Sequence, residues 1–153
     1  MGIVYQQAVP SDFLEVAALD REAWKQNRNS EYIPDGEHVW RIWMEHALAY
    51  TAKEAGKVVG AILAFPCMSP QWFVHKVFVD LERRGNGIGT RLFEILLAEI
   101  DRIEVDCFLT VDPAYGDTIR FYEKLGFMDK AFFPGYYRAN EDRYVLTRRY
   151  GAS

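Results

Sequence analysis

Residues 77–100, VFVDLERRGNGIGTRLFEILLAEI, place glycines at alternate positions, Gly85, Gly87 and Gly89, between an apolar β-prone run and a helical apolar pattern. That order constrains the fold more than any other feature of the chain: a strand must end, turn on glycine and give way at once to a helix. The first turn of a helix carries N–H groups with no intrahelical partner and a partial positive charge. Glycines let such a backbone approach an anion closely and adopt torsions closed to other residues. With charge-assisted contacts available from Arg84 and a hydroxyl from Thr90, the loop is expected to hold a phosphate or pyrophosphate. The alternative is a set of glycines that only pack tightly. A P-loop would need Lys-Ser/Thr after its last glycine, and here Thr90-Arg91 follow. A dinucleotide fingerprint would read GxGxxG with an acid about 20 residues on, whereas these glycines read GxGxG.

The rest of the chain supplies a frame. Ile3 to Val9 is β-prone and closed by Pro10; Ser11 then offers a cap for a helix with Phe13, Val16, Ala17 and Leu19 on its apolar side, reaching Trp24. KQNRNSEYIPDGE reads as a loop, and Val39, Trp40, Trp43 and Leu48 follow at helical intervals. Two strand-like runs joined at Ala55-Gly56-Lys57 make a hairpin, and WFVHKVFVD is a strand from Trp72 to Val79. After the glycine loop, Ile88, Leu92, Ile95 and Leu96 mark a helix face that ends near Arg102. VDCFLTVD is another strand, GDTIRFYEKLG a short helix with Gly126 as its stop, and FMDKAFFPGYY and EDRYVLTRRY two strands closed around RAN. The order β-α-α-β-β-β-α-β-α-β-β, with antiparallel pairs at both ends and a β-α-β unit between them, is that of one mixed α/β (α+β) domain over 1–153. A doubly wound parallel sheet fits it poorly.

Half of the 153 residues are hydrophobic and 15% are aromatic, enough for a sizeable core. The net charge of −4 argues against bulk nucleic-acid binding and suits an amine-bearing substrate, with Arg83, Arg84 and Arg91 left to form a local basic pocket. Cys67 and Cys107 are far apart and read as buried thiols; His38, His46 and His75 show no metal-ligand spacing, so no metal is expected. No signal core or membrane span is apparent, which gives the expectation of a cytoplasmic protein with no membrane partner. Either a monomer or a homodimer is compatible with the sequence.

VDLERRGNGIGTRLFE resembles the Arg/Gln-x-x-Gly-x-Gly/Ala motif of the GCN5-related N-acetyltransferase (GNAT) superfamily, filled here by Arg84, Gly85, Asn86, Gly87, Ile88 and Gly89. IRFYEKLGF, Ile119 to Phe127, resembles that superfamily's second signature, and the order of elements matches its fold along nearly the whole chain. The resemblance implies a mostly antiparallel sheet splayed after its fourth strand and acetyl-CoA, or another acyl-CoA, as donor. The pyrophosphate would sit on Arg84 to Thr90, the pantetheine arm would run along Phe78 and Val79, and an amide near Val77 would face the thioester carbonyl. The asparagine that commonly precedes the second helix in this superfamily is replaced by Tyr115, so that cofactor contact is altered or lost.

Acetyl transfer to an amine needs a neutral nucleophile, donors for the developing oxyanion and a proton for the departing thiolate. Tyr122, at the tyrosine position of the second motif, is the expected acid. His75 is the first candidate base, since an imidazole titrates near about 6.5 and shares a strand face with Val79; Asp112, at the end of the next strand, is the second. Glu141 and Asp142 read as solvated hairpin charges. The loop carrying Tyr32 is expected to border the acceptor. PGYYRANEDRYVL resembles the tail of protein N-terminal acetyltransferases, including the ribosomal-protein alanine type, which implies that Tyr136 and Tyr137 pin a peptide backbone through their hydroxyls; Thr110 stands where the alanine type carries a glutamate. An unspecified small amine is the first acceptor reading and a peptide N-terminus or lysine the second, with a non-catalytic acyl-CoA-binding domain as the alternative to an enzyme.

Overall fold

The turn at Ala55-Gly56 sets the register of the first strands. In the computed structural model, which describes residues 2–152, both turn residues take positive φ, 51° and 80°. That is the conformation of the two-residue hairpin whose twist matches its strands. It joins β2 (Leu48–Glu54) to β3 (Lys57–Pro66), antiparallel from Glu54↔Lys57 to Leu48↔Ala64 with an irregularity at Ala52/Lys53. β1 (Ile3–Gln7) lies antiparallel to β2, from Ile3↔Glu54 to Gln7↔Tyr50. β3 is buried without interruption from Val58 to Ala64, the near-continuous apolar run of a strand covered on both faces.

The chain gathers into two compact units, Met1–Ala64 with Lys76–Leu97 and Phe65–His75 with Ala98–Ser153. In the first, α1 (Phe13–Trp24) and α2 (Glu37–His46) bury Val16, Ala17, Trp40 and Met44. Trp40 meets Trp43 edge-on at 5.1 Å and Phe78 of β4 (Trp72–Val79) at 5.7 Å. The apolar stripe of α3 (Ile88–Ile103) buries Ile88, Leu92, Phe93 and Leu96. Gly60 allows that helix to come close: a Cβ there would lie 3.2 Å from Ile88 Cγ2 and 3.3 Å from the Phe78 carbonyl.

In the second unit, β4 and β5 (Cys107–Val111) pair in parallel at their first residues, Trp72↔Cys107 and Phe73↔Phe108. β7 (Arg143–Arg148) runs antiparallel to β5, from Cys107↔Arg148 to Val111↔Tyr144, and to the exposed β6 (Asp129–Phe133). α4 (Gly116–Lys124) is braced where it ends: Arg148 donates to the Leu125 carbonyl at 3.1 Å and grips Asp101 with two bonds of 2.7 and 2.9 Å. The strand order is β1-β2-β3-β4-β5-β7-β6, a mostly antiparallel mixed α/β sheet as expected. Among the described residues no helix is long and apolar enough to cross a membrane.

Three local readings are corrected. The approach to α1 is held by Asp12, which accepts from the Val9 N–H at 3.0 Å and pairs with Lys53 at 2.9 Å, whereas the exposed Ser11 lies inside a short 3-10 turn. Leu48 opens β2 instead of extending α2. The closing hairpin turns early, because Pro134 and Gly135 (φ 59°) end β6 at Phe133, and residues 134–142 form a long connection.

Candidate functional site

The glycine loop opens with a 3-10 turn, Leu81–Arg83, capped by Asp80, which accepts from the Glu82 N–H at 3.1 Å. Arg83, expected in the basic pocket, is instead bound to Glu54 at 2.6 Å and Asp80 at 2.9 Å, which leaves Arg84 and Arg91 as the exposed arginines here. Asn86 donates its side-chain N–H to the Arg83 carbonyl at 3.0 Å and so steadies the bend. Gly85 and Gly87 take φ of 83° and 78°, the left-handed region that favours glycine. A Cβ at either would meet nothing within 4 Å, and one at Gly89 would meet only Val79 Cγ2, at an ordinary 3.8 Å. Tight packing is therefore not why these glycines are here. The ladder of α3 begins with Arg91 N–H to Gly87 O at 3.0 Å, so the amides just before Arg91 head the helix without intrahelical acceptors. A positively polarised turn opening on empty space fits the pyrophosphate of a CoA. On the strand ahead of it, Phe78 is buried against Trp40, while Val77 and Val79 are half-buried.

In the second unit Tyr122 lies on α4, with Phe121 at 5.7 Å and Phe127 at 6.2 Å from its ring. Part of the residue remains accessible, yet burial pushes its phenol up to about 12. It is therefore neutral near neutral pH. His75, half-buried on β4, sits beside Phe73 at 5.4 Å and Phe65 at 6.0 Å. Asp112 is buried and commits Oδ1 to the Ala114 N–H at 2.9 Å, while its carbonyl takes the Tyr115 N–H at 3.0 Å. It builds the turn into α4, for which Tyr115 is the N-cap residue.

The 134–142 connection is more ordered than a solvated hairpin. The Tyr137 hydroxyl meets Thr110 Oγ1 at 3.0 Å, its ring stands edge-on to Tyr136 at 4.9 Å, and the Arg143 guanidinium lies 5.1 Å from its centre. Burial raises the Tyr137 phenol, partly offset by the Thr110 bond. Glu141 is only 4% exposed and pairs with Arg138 at 2.7 Å and Arg143 at 3.4 Å; Asp142 accepts from the Gly135 N–H at 2.8 Å. The expectation of solvated charges is overturned, because two arginines neutralise Glu141 and Asp142 ties the turn.

Sequence reasoning missed a second buried cluster, in the first unit. Lys76 of β4 binds Asp20 of α1 at 2.8 Å and Asp35 at 2.8 Å, with the ring of Trp24 5.2 Å away. The Trp24 indole N–H donates to the carbonyl of Tyr32, itself half-buried, at 2.6 Å. A lysine inside the apolar run WFVHKVFVD was the available signal.

A family model described as Acetyltransferase (GNAT) family matches residues 13–127. An uncharacterised N-acetyltransferase of Methanocaldococcus jannaschii is 30% identical over 143 residues, covering 90% of this chain and 86% of that one. Among solved structures, the ribosomal-protein-S18-alanine N-acetyltransferase of Escherichia coli superposes with a TM-score of 0.82 at 18% identity, over 99% of this chain and 96% of the other. The diaminobutyrate acetyltransferase of Paenibacillus lautus, in complex with its substrate and coenzyme A, gives 0.75 at 18% identity, over 99% and 98%.

Proposed function

This chain belongs to the acetyltransferase (GNAT) family, and we propose that it moves an acetyl group from acetyl-CoA to a primary amine by direct attack in a ternary complex. The observation that carries the reading is the glycine loop: positive φ at Gly85 and Gly87, with open space where their side chains would be, at the head of a helix. Arg84, Gly85, Asn86, Gly87, Ile88, Gly89 and Thr90 hold the pyrophosphate, Phe78 and Val79 flank the pantetheine arm, and Tyr115 lies near the arm's altered contact. The Val77 amide donates to the thioester oxygen as it gains charge.

His75 takes the proton from the incoming ammonium, which otherwise stays charged because an alkyl amine titrates near about 10.4. The amine nitrogen then bonds to the carbonyl carbon, the C–S bond breaks, and Tyr122 passes its proton to the sulfur while the second proton that the nitrogen sheds on becoming an amide returns to the phenolate. With a phenol at about 12 and a cysteine-like thiol at about 8.5, transfer to the finished thiolate is uphill by about 5 kcal/mol, and the thioester sulfur is far less basic still before the C–S bond breaks. The phenol therefore donates as the thiolate forms, and not ahead of it. Asp112 is the less suitable base, since its carboxylate already closes a turn.

An unspecified small amine is the first acceptor reading. A peptide N-terminus is the second, favoured by the Tyr136–Tyr137 pair fixed through Thr110 and Arg143, which presents ordered hydroxyls and rings to an acceptor. The test is acceptor-dependent thiol release from acetyl-CoA across polyamines, amino sugars, amino acids and peptides. Release with at least one amine, slowed by Tyr122→Phe, is expected. Tight acetyl-CoA binding with no turnover of any amine would instead establish a binding domain.

A further inference from the structure

We propose that Lys76 is a positioning residue for the acceptor: with Asp20 and Asp35 it clamps residues 25–36 against the strand that carries Val77. This rests on the reading of that loop as the acceptor's border. The segment is long and polar, with no strand or helix of its own to hold it. Two contacts tie its second half to the rest of the unit. The Tyr32 carbonyl takes the Trp24 indole N–H, and Asp35 pairs with Lys76, whose ammonium also bonds both carboxylate oxygens of Asp20 at 2.8 and 2.9 Å. Asp20 receives the Trp40 indole N–H as well, at 3.1 Å.

The side chains of Lys76, Asp20 and Asp35 are 11%, 7% and 8% exposed, so water screens the cluster poorly and its geometry is well defined. A lone buried ammonium would be costly; two carboxylates and the face of Trp24 make this one tolerable. Asp20, Trp24, Ile33, Pro34 and Asp35 also line a cavity of about 220 Å³, so releasing Asp35 would change the shape of that wall. Lys76 immediately precedes Val77 in β4, and its side chain thereby indexes the acceptor's loop to the strand assigned to the thioester.

Asp35→Asn is the decisive variant, because it frees the loop while leaving the Asp20–Lys76 pair intact; Lys76→Met strands buried carboxylates and need not fold. Two readouts are taken on the full chain. Brief trypsin digestion followed by mass spectrometry reads cleavage after Lys25 and Arg28, both exposed. Steady-state kinetics with the best amine reads KM for amine and for acetyl-CoA separately. Asp35→Asn is expected to speed loop cleavage about tenfold and raise KM for the amine about tenfold, with KM for acetyl-CoA within twofold of wild type. Lys76→Arg, which keeps a cation between the carboxylates, is expected to retain most of the wild-type amine KM. Unchanged cleavage overturns the clamp. Faster cleavage with amine KM unchanged, or with both KM values raised equally, overturns its role toward the acceptor. A wild type that turns over no amine defeats the acetyltransferase reading and the acceptor role with it, while the trypsin arm still reports on the clamp.

Discussion

Replacing Gly87 by alanine separates a phosphate cradle from a merely tight turn. A Cβ at Gly87 meets nothing within 4 Å, so the cost to the free protein comes from torsion alone. At φ 78° an L-residue costs about 1–2 kcal/mol, and in a domain of this size each kcal/mol lowers Tm by about 2–4 °C. The free protein should thus melt about 2–8 °C lower. The ligand-bound state loses more. A hydrogen bond to a charged group is worth about 1.5–3 kcal/mol, so misaligning one amide from a pyrophosphate should weaken acetyl-CoA by about 10- to 150-fold.

Gly89→Ala is the control. It lies in the first turn of α3 outside the left-handed region, and its Cβ would make one ordinary contact with Val79. Alanine there should stabilise the free protein by about 0.5–1 kcal/mol, so any loss of acetyl-CoA affinity cannot be charged to a damaged fold. Differential scanning fluorimetry with and without acetyl-CoA, backed by isothermal titration calorimetry, reads both quantities. If Gly87→Ala lowers the melting point of the free protein yet leaves the acetyl-CoA dissociation constant unchanged, the loop does not hold the pyrophosphate and the reasoning fails.

Ala55 takes φ 51° at an exposed turn, so Ala55→Asn, which tolerates that region, should raise Tm by about 2–4 °C, measured by thermal melting. Gly60→Ala should do the opposite: its Cβ would press on the unyielding Phe78 carbonyl as well as on Ile88, costing about 1–3 kcal/mol in urea unfolding and weakening acetyl-CoA by displacing the start of α3. The Cys107 thiol and the Tyr122 phenol are raised by burial from 9.0 and 10.0 to about 12. The folded protein therefore holds these protons more tightly than the unfolded chain. Their effect on stability is absent below about pH 9, and stability falls as pH rises toward 12, by up to about 1.4 kcal/mol per unit for each group. In urea titrations at pH 8 and pH 11, Tyr122→Phe should lose about 1.4 kcal/mol less than wild type across the interval; parallel losses would refute the phenol's burial.

The order of elements and the glycine loop were legible because both are local. Helix and strand periods declare themselves within a dozen residues, and Gly85 and Gly87 sit where the backbone needs positive φ. What was illegible is which charges end up inside. Asp20 and Lys76 are 56 positions apart, and nothing near either residue announces the other. The same holds for Arg148, whose carboxylate partner lies 47 positions back. Glu141 read as a solvated hairpin charge because charged residues are usually exposed, yet it is buried against the equally buried Arg143 beneath Tyr137. Paired burial is a property of the tertiary contact and not of either residue. A lysine in the middle of an apolar strand is the useful exception: an unaccompanied charge could not remain there, so Lys76 alone, read in WFVHKVFVD, already requires an acid that the sequence does not name.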